Sequence, residues 1–88
     1  MDRFIVIHAV NPGITQDEVW ETAHIVVTSA VNGAKWLHSY FIPERDEIIC
    51  DWEAPNKEAI RQSVKVAEHL IPVKDIYAAV YMDPAFFK

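Results

Sequence analysis

Two segments rich in aromatic and β-branched residues, Lys35–Ile42 and Glu47–Ala54, flank the turn-forming residues 43–46. Two such segments around so short a turn predict a β-hairpin. Apolar residues at helical spacing precede and follow this hairpin, and a further strand-like segment lies towards each end of the chain. The predicted order is therefore β-α-β-β-α-β, within 88 residues and without a linker or a repeat.

Local signals place the remaining elements. Residues 4–10 form a β-branched, apolar run that predicts the first strand. Thr15 and Glu18 have the spacing of a capping box at the start of the first helix, and Asn56 is the predicted cap of the second. Residues 75–82 are predicted as the last strand. This order predicts an α+β, ferredoxin-like domain over residues 1–88, with an antiparallel four-stranded sheet and both helices on one face.

The composition excludes several classes of protein. Hydrophobic residues make up 51% of the chain and charged residues 24%, which is typical of a folded globular protein. Eight Lys and Arg against thirteen Asp and Glu give a net charge of −5, without the basic cluster that nucleic-acid binding requires. The single cysteine, Cys50, excludes an intramolecular disulfide and indicates a reducing compartment. Neither a signal-peptide pattern nor a membrane-spanning apolar run occurs, so we expect a cytoplasmic protein with no nucleic-acid or membrane partner.

The register of the hairpin sorts its residues between the two faces of the sheet. If residues 43–46 form the loop, His38 lies opposite Asp51 and Tyr40 opposite Ile49, and cross-strand partners share a face. That face is the more polar one, so it is predicted to be free of helices; it holds Trp36, His38, Tyr40, Ile42, Glu47, Ile49, Asp51 and Glu53. Large apolar side chains left in water favour association. We therefore predict a homodimer in which two open faces pair to close a shared α/β barrel.

A candidate metal site lies on this open face. His38, Asp51 and Glu53 are neighbours there, and His8 is expected to join them because the first strand neighbours the third in this topology. Imidazole and carboxylate groups suit nickel, zinc, iron or copper. The spacing matches no metal-binding motif, and the alternative is a plain His–Asp cross-strand pair on a hydrated sheet face. Cys50 falls on the opposite face, where a buried, unreactive thiol is expected.

Several short stretches together resemble a family of small bacterial ferredoxin-like domains named after a nickel-binding protein. They are residues 36–40 (Trp-Leu-His-Ser-Tyr), Cys50, residues 53–55 (Glu-Ala-Pro), residues 58–61 (Glu-Ala-Ile-Arg) and residues 12–15 (Pro-Gly-Ile-Thr). The resemblance spans residues 3–82 and implies a homodimer that binds a transition metal. His8 and His38 fall on histidines of the pattern, and Glu53 on its acid. Ser63 departs from the pattern, because members often carry a histidine there.

Three functions remain open at this stage. The first is a metal-binding homodimer with nickel or a similar divalent transition metal bound by His8, His38, Glu53 and Asp51. The second is a cofactor-free enzyme, similar to small monooxygenases or isomerases, in which His38 is a general base oriented by Asp51. It requires an apolar pocket at His38, lined by Trp36 and Tyr40. The third is an interaction or small-ligand sensing domain in which the polar face is only structural.

Overall fold

The computed structural model describes all residues from 1 to 88, and its elements follow the predicted order. The strands are β1 (Asp2–Ala9), β2 (Lys35–Ile42), β3 (Glu47–Ala54) and β4 (Val73–Ala79), and the helices are α1 (Gln16–Ser29) and α2 (Lys57–Val64). Short 3-10 turns occupy Pro43–Arg45, Lys65–Ala67 and Pro84–Phe87. The sheet has the order β2-β3-β1-β4 with every neighbouring pair antiparallel, which confirms the ferredoxin-like fold. Neither helix is long and apolar enough to cross a membrane.

Both helices begin at the predicted caps. The Thr15 hydroxyl accepts a hydrogen bond from the backbone N–H of Glu18, and the Glu18 carboxylate accepts one from the N–H of Thr15. The side chain of Asn56 accepts a hydrogen bond from the N–H of Ala59 at 2.9 Å. Each cap satisfies a backbone donor that the first helical turn leaves unpaired, and this fixes where each helix starts.

The last strand is displaced from its predicted position. It runs over Val73–Ala79 rather than residues 75–82. It starts earlier because Val73 pairs with His8 across a register shift between Ile7 and His8. It ends at Ala79, which pairs with Arg3 near the start of β1.

The core lies between the sheet and the two helices. Residues from β1 and β3 alternate towards it, and α2 adds a buried stripe that includes Ile60 and Val64. The buried hydrophobic residues are Phe4, Val6, Val10, Val19, Val26, Ile48, Cys50, Trp52, Ala54, Ala59, Ile60, Val64, Ala67, Ile71 and Ile76. The opposite face of the sheet carries no helix, as predicted.

The hairpin has the predicted register as far as His38 and departs from it at Leu37. Tyr40 pairs with Ile49 and His38 with Asp51, but a register shift follows and Trp36 pairs with Trp52. The extra residue turns the strand by one side-chain position. Trp36 therefore packs against the core on the helix-covered face. Its predicted place on the open face, opposite Glu53, is wrong.

Ser63, the residue at which the chain departs from the family pattern, ties the two helices together. It is fully buried, and its hydroxyl donates to the carbonyl of Ala59 at 2.8 Å. The same oxygen accepts a hydrogen bond from the N–H of Val31, just beyond the end of α1, at 3.0 Å. The Ser63 carbonyl in turn accepts a hydrogen bond from the Ser29 hydroxyl. This position is therefore structural in the present chain.

The Ser63→Ala variant should lower the free energy of unfolding by about 1–3 kcal/mol, because the Val31 N–H loses its acceptor in a partly buried place. Urea denaturation of the two proteins measures the difference. The Thr28→Ala variant is the matched control: its hydroxyl is exposed and donates only to the carbonyl of Ile25 within α1, so a change within about 0.5 kcal/mol is expected. Equal losses in the two variants would contradict the assignment.

Candidate functional site

Asp51 is the centre of the polar cluster on the open face. Asp51 is only 8% exposed, and its Oδ2 accepts a hydrogen bond from Nη1 of Arg3 at 2.8 Å. Nε2 of His38 lies 3.5 Å from the same oxygen. The other oxygen, Oδ1, is buried and has no hydrogen-bond partner. The cluster forms because β1, β3 and β2 are neighbours and their registers pair Arg3 with Glu53 and His38 with Asp51.

Arg3 is the residue of this cluster that the sequence did not predict. Its Nη2 lies 3.5 Å from Oε1 of Glu53, so one guanidinium contacts both predicted acidic ligands. It also stacks over the ring of Tyr81, 4.5 Å from the ring centre. A guanidinium between two carboxylates compensates charge in the way that a metal cation would. Arg3 therefore occupies part of the surface that a bound cation would use.

The expectation that His8 joins the open face is wrong. His8 pairs with Ile48 and follows the alternation of Phe4 and Val6, so it lies on the helix-covered face. It is 1% exposed, and its Nδ1 donates a hydrogen bond to the carbonyl of Ile71 at 2.8 Å. Burial lowers the pKa of His8 below its usual value. The hydrogen bond to Ile71 and the charge of Glu68 raise the pKa, but by less. The ring is therefore neutral at pH 7.

The predicted ligand set thus divides between two faces. His38, Asp51 and Glu53 share the open face, and His8 does not. Within the chain, no three or more His, Cys, Asp or Glu side chains converge to form a group that could hold a metal ion. The His38 imidazole and the two carboxylates have suitable chemistry for a transition metal. They would supply only part of a coordination shell, and Arg3, which contacts both acids, would have to move for a metal to reach them.

Cys50 behaves as a core residue, as expected. It is buried, and burial raises the pKa of its thiol to about 11, although a hydrogen bond from Ser39 acts in the other direction. At neutral pH the group is a protonated thiol with neither the nucleophilicity nor the metal affinity of a thiolate.

A cavity of about 400 Å³ lies on the helix-covered side of the sheet. Trp36 lines it, whereas His38 and Tyr40 do not. The general-base hypothesis needs an apolar pocket at His38 with Trp36 and Tyr40 in its wall. The register shift at Leu37 places Trp36 on the face opposite His38, and the apolar cavity lies on that face too.

Comparison with known proteins identifies a related family. The sequence pattern of the family described as "Nickel responsive protein SCO4226-like" matches residues 4–78. The crystal structure of SCO4226 from Streptomyces coelicolor A3(2) is similar to this one, with a TM-score of 0.78, 20% sequence identity, and coverage of 92% of this chain and 99% of that chain. Identity at that level supports the shared fold. No curated protein matches the chain significantly.

Acid should destabilise the protein partly through His8. Above the usual histidine pKa of 6.5, the folded and the unfolded chain both carry a neutral His8. Below it, the unfolded chain binds a proton that the folded chain excludes, so the free energy of unfolding should fall by up to about 1.4 kcal/mol per pH unit. Urea denaturation at several pH values between about 7.5 and 5 measures this slope. The His8→Phe variant should show a smaller slope, and an unchanged slope would contradict the assignment.

Proposed function

The chain belongs to the family of nickel-responsive SCO4226-like proteins, and from that membership we propose that it is a small metal-binding protein. The ion is nickel or a similar divalent transition metal, and the protein works as a homodimer whose ligands lie on the open sheet face. The proposed ligands are His38, Asp51 and Glu53. His8 is left out because it lies on the other face.

The observation that carries this proposal is the unsatisfied carboxylate of Asp51. A buried carboxylate oxygen without a partner costs free energy, and such atoms are rare in folded proteins. Oδ1 of Asp51 is such an atom, and an imidazole nitrogen lies within 3.5 Å of the other oxygen. A cation bound by Asp51 and His38 would remove this cost. Glu53 adds a second carboxylate on the same strand, two residues away and therefore on the same face.

A second copy of the chain would complete both the fold and the site. The open face exposes Tyr40 and Tyr77 at 66% and 51%, beside the half-buried Ile5, Ile7 and Ile49. Pairing two such faces about a two-fold axis would bury these apolar side chains and bring the donors of both copies towards one space. This supports a dimer, since one protomer alone offers too few donors for a transition metal.

The metal proposal is tested by isothermal titration with nickel chloride. The His38→Ala and Asp51→Asn variants should bind nickel at least about tenfold more weakly than the unsubstituted protein, because the first loses the imidazole and the second loses the negative charge of the carboxylate. The control is His69→Ala, an exposed histidine outside the open face, which should bind as the unsubstituted protein does. Absence of nickel binding in the unsubstituted protein, or full binding by His38→Ala, would overturn the proposal.

Arg3 provides a second arm of the same test. The Arg3→Gln variant removes the cation that contacts both carboxylates. If that cation competes with the metal, nickel should bind about tenfold more tightly, which corresponds to about 1.4 kcal/mol. Weaker binding would show that Arg3 positions the acids for the ion, and would contradict the competition inferred from the structure.

The dimer proposal is tested by sedimentation velocity. The Ile49→Glu variant places a charge in the middle of the open face and should sediment as a monomer, whereas the unsubstituted protein should sediment as a dimer. The control is Ile25→Glu on the exposed side of α1, which should leave the dimer intact. A monomeric unsubstituted protein, or dissociation in Ile25→Glu alone, would refute pairing through the open face.

A further inference from the structure

The cavity on the helix-covered side is not used by the proposed metal site. It lies between α1 and the sheet, on the face opposite His38 and Asp51. Twelve of its fifteen lining residues are hydrophobic, and none carries a carboxylate, an ammonium or a guanidinium group. They are His8, Val19, Trp20, Ala23, His24, Val26, Val27, Trp36, Ser39, Phe41, Ile48, Cys50, Trp52, Val64 and Ile71.

Three tryptophan side chains form part of the cavity wall. The register shift at Leu37 turns Trp36 into the cavity wall, and its Nε1 donates a hydrogen bond to the Ser39 hydroxyl at 2.7 Å. Trp52 adds a fully buried indole from the neighbouring strand. On α1, Trp20 lines the cavity while remaining 52% exposed, which places it at the boundary with solvent. Rigid aromatic side chains are typical of sites that bind flat, apolar rings.

Polar groups in this wall lack partners within the chain. His8 uses Nδ1 to donate to the carbonyl of Ile71, which leaves Nε2 of the neutral ring as an acceptor. The indole N–H of Trp52 is buried and has no acceptor. Buried polar groups normally find a hydrogen-bond partner, and the indole N–H of Trp52 has almost no surface open to the cavity. The group that points to an occupant is therefore Nε2 of His8, which lines the cavity and has no partner in the chain.

We propose that this cavity binds a small, neutral, aromatic compound of two fused rings that carries one hydroxyl or N–H donor, and that this donor binds Nε2 of His8. The size follows from the volume, since a cavity of roughly 150 Å³ holds benzene and this one is larger. The neutral charge follows from the walls, because they hold no lysine or arginine to compensate a desolvated anion and no carboxylate to compensate a cation. The ligand lies on the opposite face from the proposed metal and is independent of it.

The direct test is titration with 2-naphthol, followed by calorimetry and by the backbone amide signals in NMR. Saturable binding of one molecule per chain is expected, with the largest shifts at residues that line the cavity. Two related compounds test the chemistry. The methyl ether, 2-methoxynaphthalene, keeps the rings but lacks the donor and should bind about 3- to 10-fold more weakly. The anion 2-naphthoate should bind at least about 10-fold more weakly than 2-naphthol.

Substitutions separate binding in the cavity from binding elsewhere. The Ala23→Leu variant fills the cavity from α1 and should lose 2-naphthol binding. The Thr28→Leu variant places the same side chain on the exposed side of α1, outside the cavity, and should bind normally. The His8→Leu variant should bind 2-naphthol and its ether equally. The proposal would be overturned if Ala23→Leu bound 2-naphthol as well as the unsubstituted protein does, or if 2-naphthol bound no more tightly than its methyl ether. It would also be overturned if a second copy of the chain filled the cavity, so that 2-naphthol did not bind.

Discussion

The antiparallel pairing of β3 with both of its neighbours decides where every chemically active side chain lies. Side chains alternate along a strand, so one register assigns each residue to a face. Along β3, Asp51 and Glu53 lie on the open face, and Cys50 and Trp52 lie under the helices. The residues paired with β3 on the neighbouring strands lie on matching faces: Arg3 and His38 lie beside the two acids, and His8 lies in the core. A slip of one residue would exchange the two sets.

The parts that the sequence predicted correctly depend on local interactions. The loop of residues 43–46 joins β2 and β3 directly, so counting outward from it pairs Tyr40 with Ile49 and His38 with Asp51. The capping residues Thr15 and Asn56 act within one turn of their own helices. In each case a few neighbouring residues determine the geometry, and these residues can be read directly from the chain.

The parts that the sequence did not predict depend on contacts between distant residues. In β1, Ile5 and Ile7 are as apolar as Phe4 and Val6, so composition does not show which alternate set faces the helices. Only the pairing with β3, whose residues Ile48 and Glu53 lie forty and fifty positions from their partners His8 and Arg3, places His8 inside and Arg3 beside Asp51. The shift at Leu37 is missed because Trp36 and Leu37 are both apolar, and no glycine or proline marks it.

The two faces of the sheet differ in charge: the open face carries a cluster of charged side chains, and the covered face is mainly apolar. The open face collects Asp51 and Glu53 around Arg3, an environment in which a bound cation is compensated by charge. The covered face has a cavity with no carboxylate, ammonium or guanidinium group in its wall, so a charged ligand that lost water there would meet no such counter-charge. His38 and Ser39 are consecutive in β2, yet one lies beside Asp51 and the other lines the cavity. A metal ion at the one site and a neutral ring compound at the other would therefore not compete for the same donors, and a substitution in one site leaves the donors of the other in place.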